Sequence, residues 1–312
     1  MQRDVLITDL VDDLLIDGLA KAGYNVVYNK DIAQPEVDAT IQNYTGIVVT
    51  TKIGLTAGNI RDAVKLKWIA RAGSGMDHVD VNAAAQKGIA CICSPEGNAG
   101  SVGEHCVAML LSILRRVPEA NAATRAFTWQ TDEYRVTELE GMTIGILGYG
   151  HTGPAFARRL QGFGVDAIAY DKYKTGFNDA FAKSVTLNEL FERSDALSVH
   201  LPLTTETRRM IDTDFINRFK KDIYFVNTSR GNIAAVGVLL DALNAGKIKR
   251  AAVDVLDNEN FETLSDDDKR LYASLLNHPH LLITPHVAGK SSSTRRRHAS
   301  VLLAKILDRP EL

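Results

Sequence analysis

The sequence has few of the features that mark secreted, membrane-spanning or nucleic-acid-binding proteins. It contains only three cysteines, without CxxC spacing, which is typical of reduced thiols in a cytosolic protein. No apolar run approaches the roughly 18 residues of a membrane span. The N-terminal residues carry acids within and after a short apolar run, unlike a signal peptide. The net charge of −2 provides no field for nucleic acid or an anionic membrane. We therefore expect a cytoplasmic protein without nucleic-acid or membrane partners.

The sequence also lacks low-complexity segments and any linker rich in glycine, serine or proline. Its His, Cys and Asp residues do not cluster at ligand spacings, so no metal is expected. Cys91 and Cys93 alternate within an apolar run and are expected to pack in a strand. The basic run 295–297 is short and is expected to lie on a solvated helix face.

The length of 312 residues exceeds what one compact core usually accommodates, so two domains are expected. Short apolar runs alternate with helical patterns, which predicts βα units and parallel sheets covered on both faces. The strands predicted in the first half are 5–10, 25–29, 46–51, 67–73 and 90–95. Those predicted in the second half are 141–148, 166–171, 196–203, 223–229, 250–256 and 280–286. Between the two sets, a helix is predicted over 101–117 with Ser101 as its N-cap.

The last helical pattern, 291–312, has no strand of its own and must pack on an element that is already formed. Packing on the first domain makes the second domain an insertion. We therefore predict an α/β protein with two doubly wound parallel-sheet domains, the second inserted into the first. The predicted boundaries are 1–97 with 288–312 for the first domain and 98–287 for the inserted domain.

The stretch TIGILGYGHTG, residues 143–153, contains the pattern G-x-G-x-x-G at Gly148, Gly150 and Gly153. Glycine-rich turns produce this pattern by chance, but here it follows an apolar strand and precedes a helical pattern. The first glycine permits a tight turn, the second lets the backbone approach a pyrophosphate, and the third lets helix and strand pack closely. The helix N-terminus offers N–H groups to the phosphates. The pattern therefore predicts a dinucleotide-binding site.

Asp171 closes the second strand of the same unit, where an acid accepts hydrogen bonds from the ribose hydroxyls. A carboxylate there repels a 2′-phosphate, so we expect NAD rather than NADP. The neighbouring Lys172 acts in the opposite direction.

Three residues able to take part in chemistry follow predicted strands of the second domain: Arg230, Glu259 and His286. Ligands of open α/β sheets bind beyond the carboxyl ends of the strands. Arginine offers a planar fork to a carboxylate, and histidine exchanges protons near neutral pH. A neighbouring carboxylate would raise the pKa of such a histidine and fix its tautomer. Singly, each residue also fits an ordinary solvent-facing position.

Together these motifs resemble those of the D-2-hydroxyacid dehydrogenase family. The likeness extends over nearly the whole chain, in the family's order, through RAGSGMDHVD, PEGNAGSVGEH, ILGYGHTG, YDKY, HLPLTTETRRMI, VNTSRGNI, AAVDVLDNEN and ITPHVAG. The resemblance implies that the first domain is a flavodoxin-like substrate domain and that the inserted domain is a Rossmann NAD-binding domain. It implies hydride transfer between a D-2-hydroxy acid and NAD in a cleft between the domains. It also implies a homodimer formed through the cofactor domains. The segment 118–140 would be the arm of that dimer, with Trp129 and Tyr134 as apolar anchors unless they pack on their own subunit.

The resemblance assigns a role to individual residues. Arg230 orients the substrate, His286 takes or gives the proton, and Glu259 pairs with that histidine. The substrate carboxylate is held by backbone N–H groups of the 71–75 loop, at Gly73, Ser74 and Gly75. The matching cofactor positions are Gly148, Gly150, His151, Thr152, Gly153, Asp171, Thr228, Ser229, Arg230, Asp254 and Gly289.

Within the family, RAGSGMDHVD and PEGNAGSVGEH are most similar to D-3-phosphoglycerate dehydrogenases, which implies a place in serine biosynthesis. Arg71 stands where a phosphate-binding cation is expected. The third strand, however, ends in Thr50 and Thr51 where phosphoglycerate dehydrogenases commonly have Arg-Ser. Either Lys52 supplies the missing charge or the substrate carries no phosphate.

D-3-phosphoglycerate is therefore the first expectation, and glyoxylate or hydroxypyruvate reduction is the second, ahead of a lactate-like acid. The chain stops soon after the last helical pattern, so no C-terminal regulatory domain and no serine feedback through one are expected. The family that the chain resembles also includes corepressor-like proteins that sense NAD. The presence of Arg230, Glu259 and His286 favours an enzyme over that class.

Overall fold

The structure is a computed structural model that describes residues 3–177 and 179–309. The chain divides into two compact units. Unit 1 comprises Met1–Ala99 and Lys290–Leu312, and unit 2 comprises Gly100–Gly289. Unit 2 is thus continuous in sequence and is inserted between the two segments of unit 1.

The strands in the described residues are β1 Arg3–Ile7, β2 Tyr24–Tyr28, β3 Gly46–Val49, β4 Trp68–Arg71, β5 Ala90–Cys93, β6 Thr143–Leu147, β7 Asp166–Tyr170, β8 Lys183–Ser184, β9 Ala196–Val199, β10 Ile223–Asn227, β11 Ile248–Val253 and β12 Leu281–Ile283. The α-helices are α1 Asp13–Lys21, α2 Gln34–Thr40, α3 Ala57–Asp62, α4 Val81–Gln86, α5 Glu96–Arg115, α6 Val117–Arg125, α7 Thr152–Arg159, α8 Leu187–Arg193, α9 Thr213–Asn217, α10 Val236–Asn244, α11 Asp266–Leu276 and α12 Thr294–Leu307. Short 3₁₀ turns occur at Ile41–Asn43, Asp132–Tyr134, Gly231–Ile233 and Phe261–Thr263.

Unit 1 is built on a five-stranded parallel sheet with the strand order β2-β1-β3-β4-β5. This is the flavodoxin-like doubly wound order. The strands are buried on both faces, and α12 covers one face through Ala299, Leu302 and Ile306. The ring of Trp68 lies so close over Gly46 that a Cβ there would be 2.2 Å from the indole. The C-terminal helix is therefore part of unit 1.

Unit 2 is built on a seven-stranded parallel sheet with the order β12-β11-β10-β9-β6-β7-β8. The strand order reverses direction beside β6, which is the switch point of a Rossmann fold. Buried apolar clusters lie on both faces of the sheet. The prediction of two doubly wound parallel sheets is confirmed.

The structure corrects two local expectations. The connecting helix begins at Glu96 rather than 101, so Ser101 lies within the helix and its hydroxyl donates to Ala288 O at 2.8 Å. Gly97, Gly100 and Gly103 lower the helix propensity of the first turns. At Gly97 and Gly103, however, a Cβ would lie within 2.7 Å of neighbouring atoms, so close packing outweighs helix propensity there. The edge strand β8 was not predicted, because its two residues carry no apolar pattern.

Cys91 and Cys93 are free thiols in β5, and both are half-buried. In the described part of the chain, no helix is long and apolar enough to cross a membrane. Within residues 3–177 and 179–309, no three His, Cys, Asp or Glu side chains are grouped to hold a metal ion.

Candidate active site

The three glycines of the G-x-G-x-x-G pattern, here called the fingerprint, lie at the junction of β6 and α7 and have different surroundings. Gly148 has φ +94°, and a Cβ there would lie 2.6 Å from His200 O. A Cβ on Gly153 would lie 2.3 Å from Gly148 O, so the helix can approach the strand only with glycine at this position. A Cβ on Gly150, in contrast, would meet no described heavy atom within 4 Å. The second glycine thus borders open space at the helix N-terminus, which fits a pyrophosphate group.

Asp171 follows β7 and is held by backbone N–H groups. Its Oδ2 accepts from Tyr149 N at 2.8 Å, and its Oδ1 accepts from Tyr173 N at 2.9 Å and Lys174 N at 3.1 Å. The carboxylate is therefore fixed beside the glycine-rich turn. This is where the sequence predicts the ribose-binding acid.

The lysines next to Asp171 are occupied by other partners. Lys172 forms an ion pair with Glu206, and the ammonium of Lys174 donates to Tyr149 O at 3.1 Å. The charge of Lys172, which weighed against a preference for NAD, is thus balanced by a carboxylate.

Tyr149, between the first two glycines, anchors the segment that follows Asp171. Its ring stacks on Phe177 with centroids 4.3 Å apart, and its hydroxyl donates to Asp179 at 2.8 Å. Burial and the bond to Asp179 raise the pKa of the Tyr149 hydroxyl. Sequence analysis did not assign this role. The only available signal was an aromatic residue at a variable position of the fingerprint.

A buried histidine that the sequence analysis did not single out lies beneath the start of α7. His200 contacts Thr152 Oγ1 through Nδ1 at 3.1 Å and Ser198 Oγ through Nε2 at 2.8 Å. Burial lowers the pKa of His200 to about 3, so its ring is neutral at physiological pH. A neutral ring that links β9 to the first helical residue stabilises the turn without adding charge.

The predicted catalytic pair is in direct contact. His286 Nδ1 lies 2.8 Å from Glu259 Oε2, and the two side chains are 47% and 43% exposed. Burial acts to raise the pKa of Glu259. The hydrogen bond from His286 and the charges of His286 and Arg230 outweigh that effect and lower the pKa below its usual value. Glu259 is therefore a carboxylate near neutral pH, and it can accept the Nδ1 proton and leave Nε2 for a substrate.

Asp254 organises the loop that carries His286. The carboxylate of Asp254 is buried and accepts from Val287 N at 2.9 Å and Ala288 N at 2.8 Å, while its backbone oxygen accepts from His286 N at 2.8 Å. The hydroxyl of Thr284 also donates to this carboxylate. Asp254 therefore sets the position of His286 from the adjacent strand.

The remaining predicted cofactor residues of unit 2 lie at the ends of its strands. Thr228 and Ser229 follow β10, and Thr228 Oγ1 lies 3.1 Å from the thiol of Cys106, whose pKa burial raises to about 12. Arg230 follows directly, and its Nη1 donates to Ser229 O at 2.8 Å. His151 is exposed before α7, and Gly289 is the last residue of unit 2.

In unit 1, the 71–75 loop follows β4. The guanidinium of Arg71 lies against Gly73, where a Cβ would be 1.4 Å from Nη1. Gly73 N donates to Ser94 Oγ at 3.2 Å and to Arg71 O at 2.8 Å. Among the described residues, the N–H groups of Ser74 and Gly75 donate no hydrogen bond. Of the three predicted donors, these two can donate to a carboxylate without breaking an existing hydrogen bond.

The end of β3 does not present a cation. Thr50 Oγ1 donates to the carboxylate of Asp9, which follows β1, the neighbouring strand. The ammonium of Lys52 donates to Lys30 O at 2.7 Å. The predicted substrate residue Lys52 is thus engaged by unit 1 itself, and an acid lies at the end of the adjacent strand.

The Rossmann strand order, the fingerprint and the acid after β7 define unit 2 as a dinucleotide-binding unit. The sequence profile of the family "D-isomer specific 2-hydroxyacid dehydrogenase, NAD binding domain" matches residues 107–288. The chain belongs to this D-isomer-specific 2-hydroxyacid dehydrogenase family. The family resemblance and the NAD cofactor predicted from sequence are thereby confirmed.

The relatives of this chain include D-3-phosphoglycerate dehydrogenases. It is 32% identical over 308 residues to that of Homo sapiens, covering 98% of this chain and 56% of that protein. It is 32% identical over 299 residues to that of Archaeoglobus fulgidus, covering 95% of this chain and 55% of that protein. The chain thus spans about half the length of the curated relatives it matches. Among solved structures, D-lactate dehydrogenase from Aquifex aeolicus complexed with NAD and lactic acid superposes with a TM-score of 0.83 at 25% identity, covering 98% of this chain and 94% of that one.

Proposed function

We propose that this protein is an NAD-dependent dehydrogenase of D-2-hydroxy acids. The observation that carries the proposal is the 2.8 Å contact between His286 and Glu259 beyond the parallel strands of the NAD-binding unit. An acid–base histidine with a carboxylate partner is the arrangement that proton transfer from a hydroxyl needs.

In this proposal, NAD accepts the hydride from C2 of the substrate in the oxidation direction. His286 removes the proton of the C2 hydroxyl, and Glu259 stabilises the imidazolium that results. Arg230 polarises the developing carbonyl and helps to hold the carboxylate. The N–H groups of Ser74 and Gly75 complete the hold on that carboxylate. Asp171 binds the ribose hydroxyls, and the open space at Gly150 takes the pyrophosphate.

Within this class, D-3-phosphoglycerate remains the first candidate substrate, with a role in serine biosynthesis. Support comes from the relatives at 32% identity and from Arg71, whose guanidinium lies on the 71–75 loop. An unphosphorylated acid is the second candidate, and a specific observation favours it. The Asp9–Thr50 pair presents a carboxylate where a phosphate would require a cation.

Turnover with four oxo acids separates these candidates. NADH oxidation is followed with phosphohydroxypyruvate, hydroxypyruvate, glyoxylate and pyruvate, and kcat/KM values are compared. A preference for phosphohydroxypyruvate that Arg71→Gln abolishes supports phosphoglycerate. A preference for an unphosphorylated acid, reversed in part by Asp9→Asn, supports the second candidate. Absence of turnover with all four, in a protein that binds NADH, would contradict both and leave an NAD-sensing role.

We further propose that the chain forms a homodimer through the segment 118–140. Phe127 and Trp129 are 100% and 82% exposed there, although such side chains normally avoid water. The other predicted anchor, Tyr134, instead packs against Arg116, whose Cζ lies 4.9 Å from the centroid of the tyrosine ring. Sedimentation analysis should give twice the 34.1 kDa of one chain, and Phe127→Ser with Trp129→Ser should give a monomer. A wild-type monomer at micromolar concentration would contradict the proposal.

A further inference from the structure

The 71–75 loop of unit 1 is tied to the turn that follows β5. Ser94 N donates to Gly73 O at 2.9 Å, and Gly73 N donates to Ser94 Oγ at 3.2 Å. The hydroxyl of Ser74 donates to Asn98 Oδ1 at 2.6 Å. The hydroxyl of Ser94 also lies 3.4 Å from Gly73 O. These contacts between the two segments set how the loop presents its N–H groups, and most of them involve Ser94.

A histidine from the C-terminal helix α12 holds Ser94 from the other side. His298 Nδ1 lies 2.9 Å from Ser94 O and 2.8 Å from Ser94 Oγ, and the side chain is only 8% exposed. Because a carbonyl oxygen can only accept, the first contact places a hydrogen on Nδ1. Gly97 leaves room for the ring, since a Cβ there would be 2.5 Å from His298 Nδ1.

We infer that His298 is a positioning residue that sets the geometry of the 71–75 loop through Ser94. The inference rests on the proposed function, in which this loop binds the substrate carboxylate. Ser94 Oγ accepts from Gly73 N and shares the Nδ1 hydrogen of His298 with Ser94 O, so loss of the histidine N–H frees Ser94 Oγ to rotate away from the loop. Hydrogen bonds weaken steeply with misalignment, so small changes in the loop should weaken carboxylate binding.

His298 acts on Ser94 through a hydrogen bond rather than through a charge on its ring. Burial, together with the cations Arg71 and Arg297, lowers the pKa of His298, although its bond to Ser94 acts in the opposite direction. The neutral ring carries one N–H, which the contact with Ser94 O assigns to Nδ1. An asparagine side chain can place an N–H near the position of Nδ1, whereas leucine fills similar space without a donor.

A second contact anchors the same helix to the end of β5 independently of Ser94. Lys305 donates to Cys93 O at 2.9 Å and pairs with Glu96 at 2.7 Å. Lys305→Met is therefore a matched control, because it removes an anchor of α12 from the same turn and leaves the His298–Ser94 contact intact.

The test compares His298→Leu, His298→Asn and Lys305→Met with wild type. We expect His298→Leu to raise KM for the preferred oxo acid about threefold to tenfold, the range of one neutral hydrogen bond, with kcat and the KM for NADH unchanged. His298→Asn should restore KM, and Lys305→Met should not alter it. Amide hydrogen exchange of residues 71–76 should be faster in His298→Leu than in wild type or His298→Asn.

Two outcomes would overturn the inference. One is unchanged KM and unchanged exchange at 71–76 in His298→Leu. The other is that all three variants lose kcat and NADH affinity to a similar extent, which indicates that His298 has a structural role only. If His298→Leu does not fold, Ser94→Ala with Ser94→Thr as its rescue gives the same comparison. Hydrogen exchange needs no turnover, so a wild type that reduces no oxo acid contradicts the proposed function while the exchange data still decide the role of His298.

Discussion

The position of His286 depends on an unusual backbone conformation. Its φ of +53° lies in the left-handed region, which costs a non-glycine residue about 1–3 kcal/mol. The N–H groups of His286, Val287 and Ala288 all donate to Asp254, which compensates for that cost. The side chain of His286 is thereby directed to Glu259 by a rigid turn.

Substitutions of this pair should reduce the rate far more than the stability. We expect His286→Ala to lose on the order of 10²–10⁴-fold in kcat, because general acid–base catalysis is removed. Glu259→Gln should lose about 10–100-fold, the value of one charge-assisted hydrogen bond. Both side chains are nearly half exposed, so solvent screens the pair and the Tm should hardly change. Steady-state kinetics and thermal unfolding measure the two effects.

Glu262→Gln is the matched control, since it neutralises an exposed acid on the same loop and should leave kcat unchanged. Turnover within tenfold of wild type in His286→Ala would remove His286 from the proposed role.

The buried His200 should make the stability depend on pH. Its pKa is about 3 in the folded protein and near 6.5 when unfolded, so between these values the unfolded chain binds a proton that the folded chain does not. Stability therefore falls as the pH falls below 6.5. At pH 5 the loss from this residue is about 2 kcal/mol. His200→Gln should be less stable than wild type at pH 7.5, and its free energy of unfolding should fall less between pH 7.5 and pH 5. Urea unfolding at these two pH values measures both effects.

His78→Gln provides the control for this prediction, because His78 is exposed. Equal acid sensitivity of wild type and His200→Gln would show that His200 is not the group responsible.

At the scale of elements, substitutions of two glycines in one turn should have different effects, one on stability and the other on NADH binding. Gly153→Ala places a methyl group 2.3 Å from Gly148 O, so β6 and α7 must move apart, at a cost of about 1–3 kcal/mol. Gly150→Ala meets open space and should leave the Tm unchanged. Its methyl group should stand where the pyrophosphate approaches and weaken NADH binding about tenfold or more, a loss of at least about 1.4 kcal/mol. Thermal unfolding and NADH titration measure both variants.

Gly237→Ala is the control for both variants, since its nearest contact of 3.9 Å is ordinary. Normal NADH affinity in Gly150→Ala would argue against a pyrophosphate at that position.

The elements that sequence patterns predicted well are those with a buried apolar face. Three of the five strands of unit 1 lie within their predicted ranges, while β1 begins at Arg3 instead of residue 5 and β2 begins at Tyr24 instead of residue 25. The pattern could not reveal β8, because it pairs through backbone atoms of only two residues. Nor could it reveal the close packing of Gly97 in the first turn of α5, because the ring that lies against it belongs to His298, far along the chain.

The candidate site was predictable where a local motif carries it. The fingerprint and the residues that end β10, β11 and β12 have recognisable sequence neighbours. The supporting contacts lack such a signal, because they join distant parts of the chain. Ser94 and His298 are 204 residues apart, and Tyr149 reaches Asp179 across 30 residues. The engagement of Lys52 by a backbone oxygen of Lys30 likewise depends on the fold alone.

For the whole molecule, the arrangement of buried residues gives each unit a core of its own. Each of the four buried apolar clusters in the described residues lies within one unit. The two tryptophans are divided in the same way. Trp68 is fully buried in unit 1, and Trp129 is 82% exposed in unit 2. In Trp129→Phe, Trp68 is the one remaining tryptophan, so the red shift of tryptophan emission on unfolding reports unit 1 alone, whether or not the segment 118–140 is buried in the proposed dimer.

NADH should consequently stabilise the two units unequally. It binds the folded unit 2, so at a concentration of 100 times Kd it should add about 2.7 kcal/mol to the stability of that unit by mass action. In urea with NADH, the circular dichroism, which reports both units, should then show a second transition at higher denaturant. The midpoint of the Trp68 red shift should be the same with and without NADH. If the Trp68 midpoint instead moves together with the circular dichroism, the two units unfold in a single step, and the separate cores do not act as separate cooperative units.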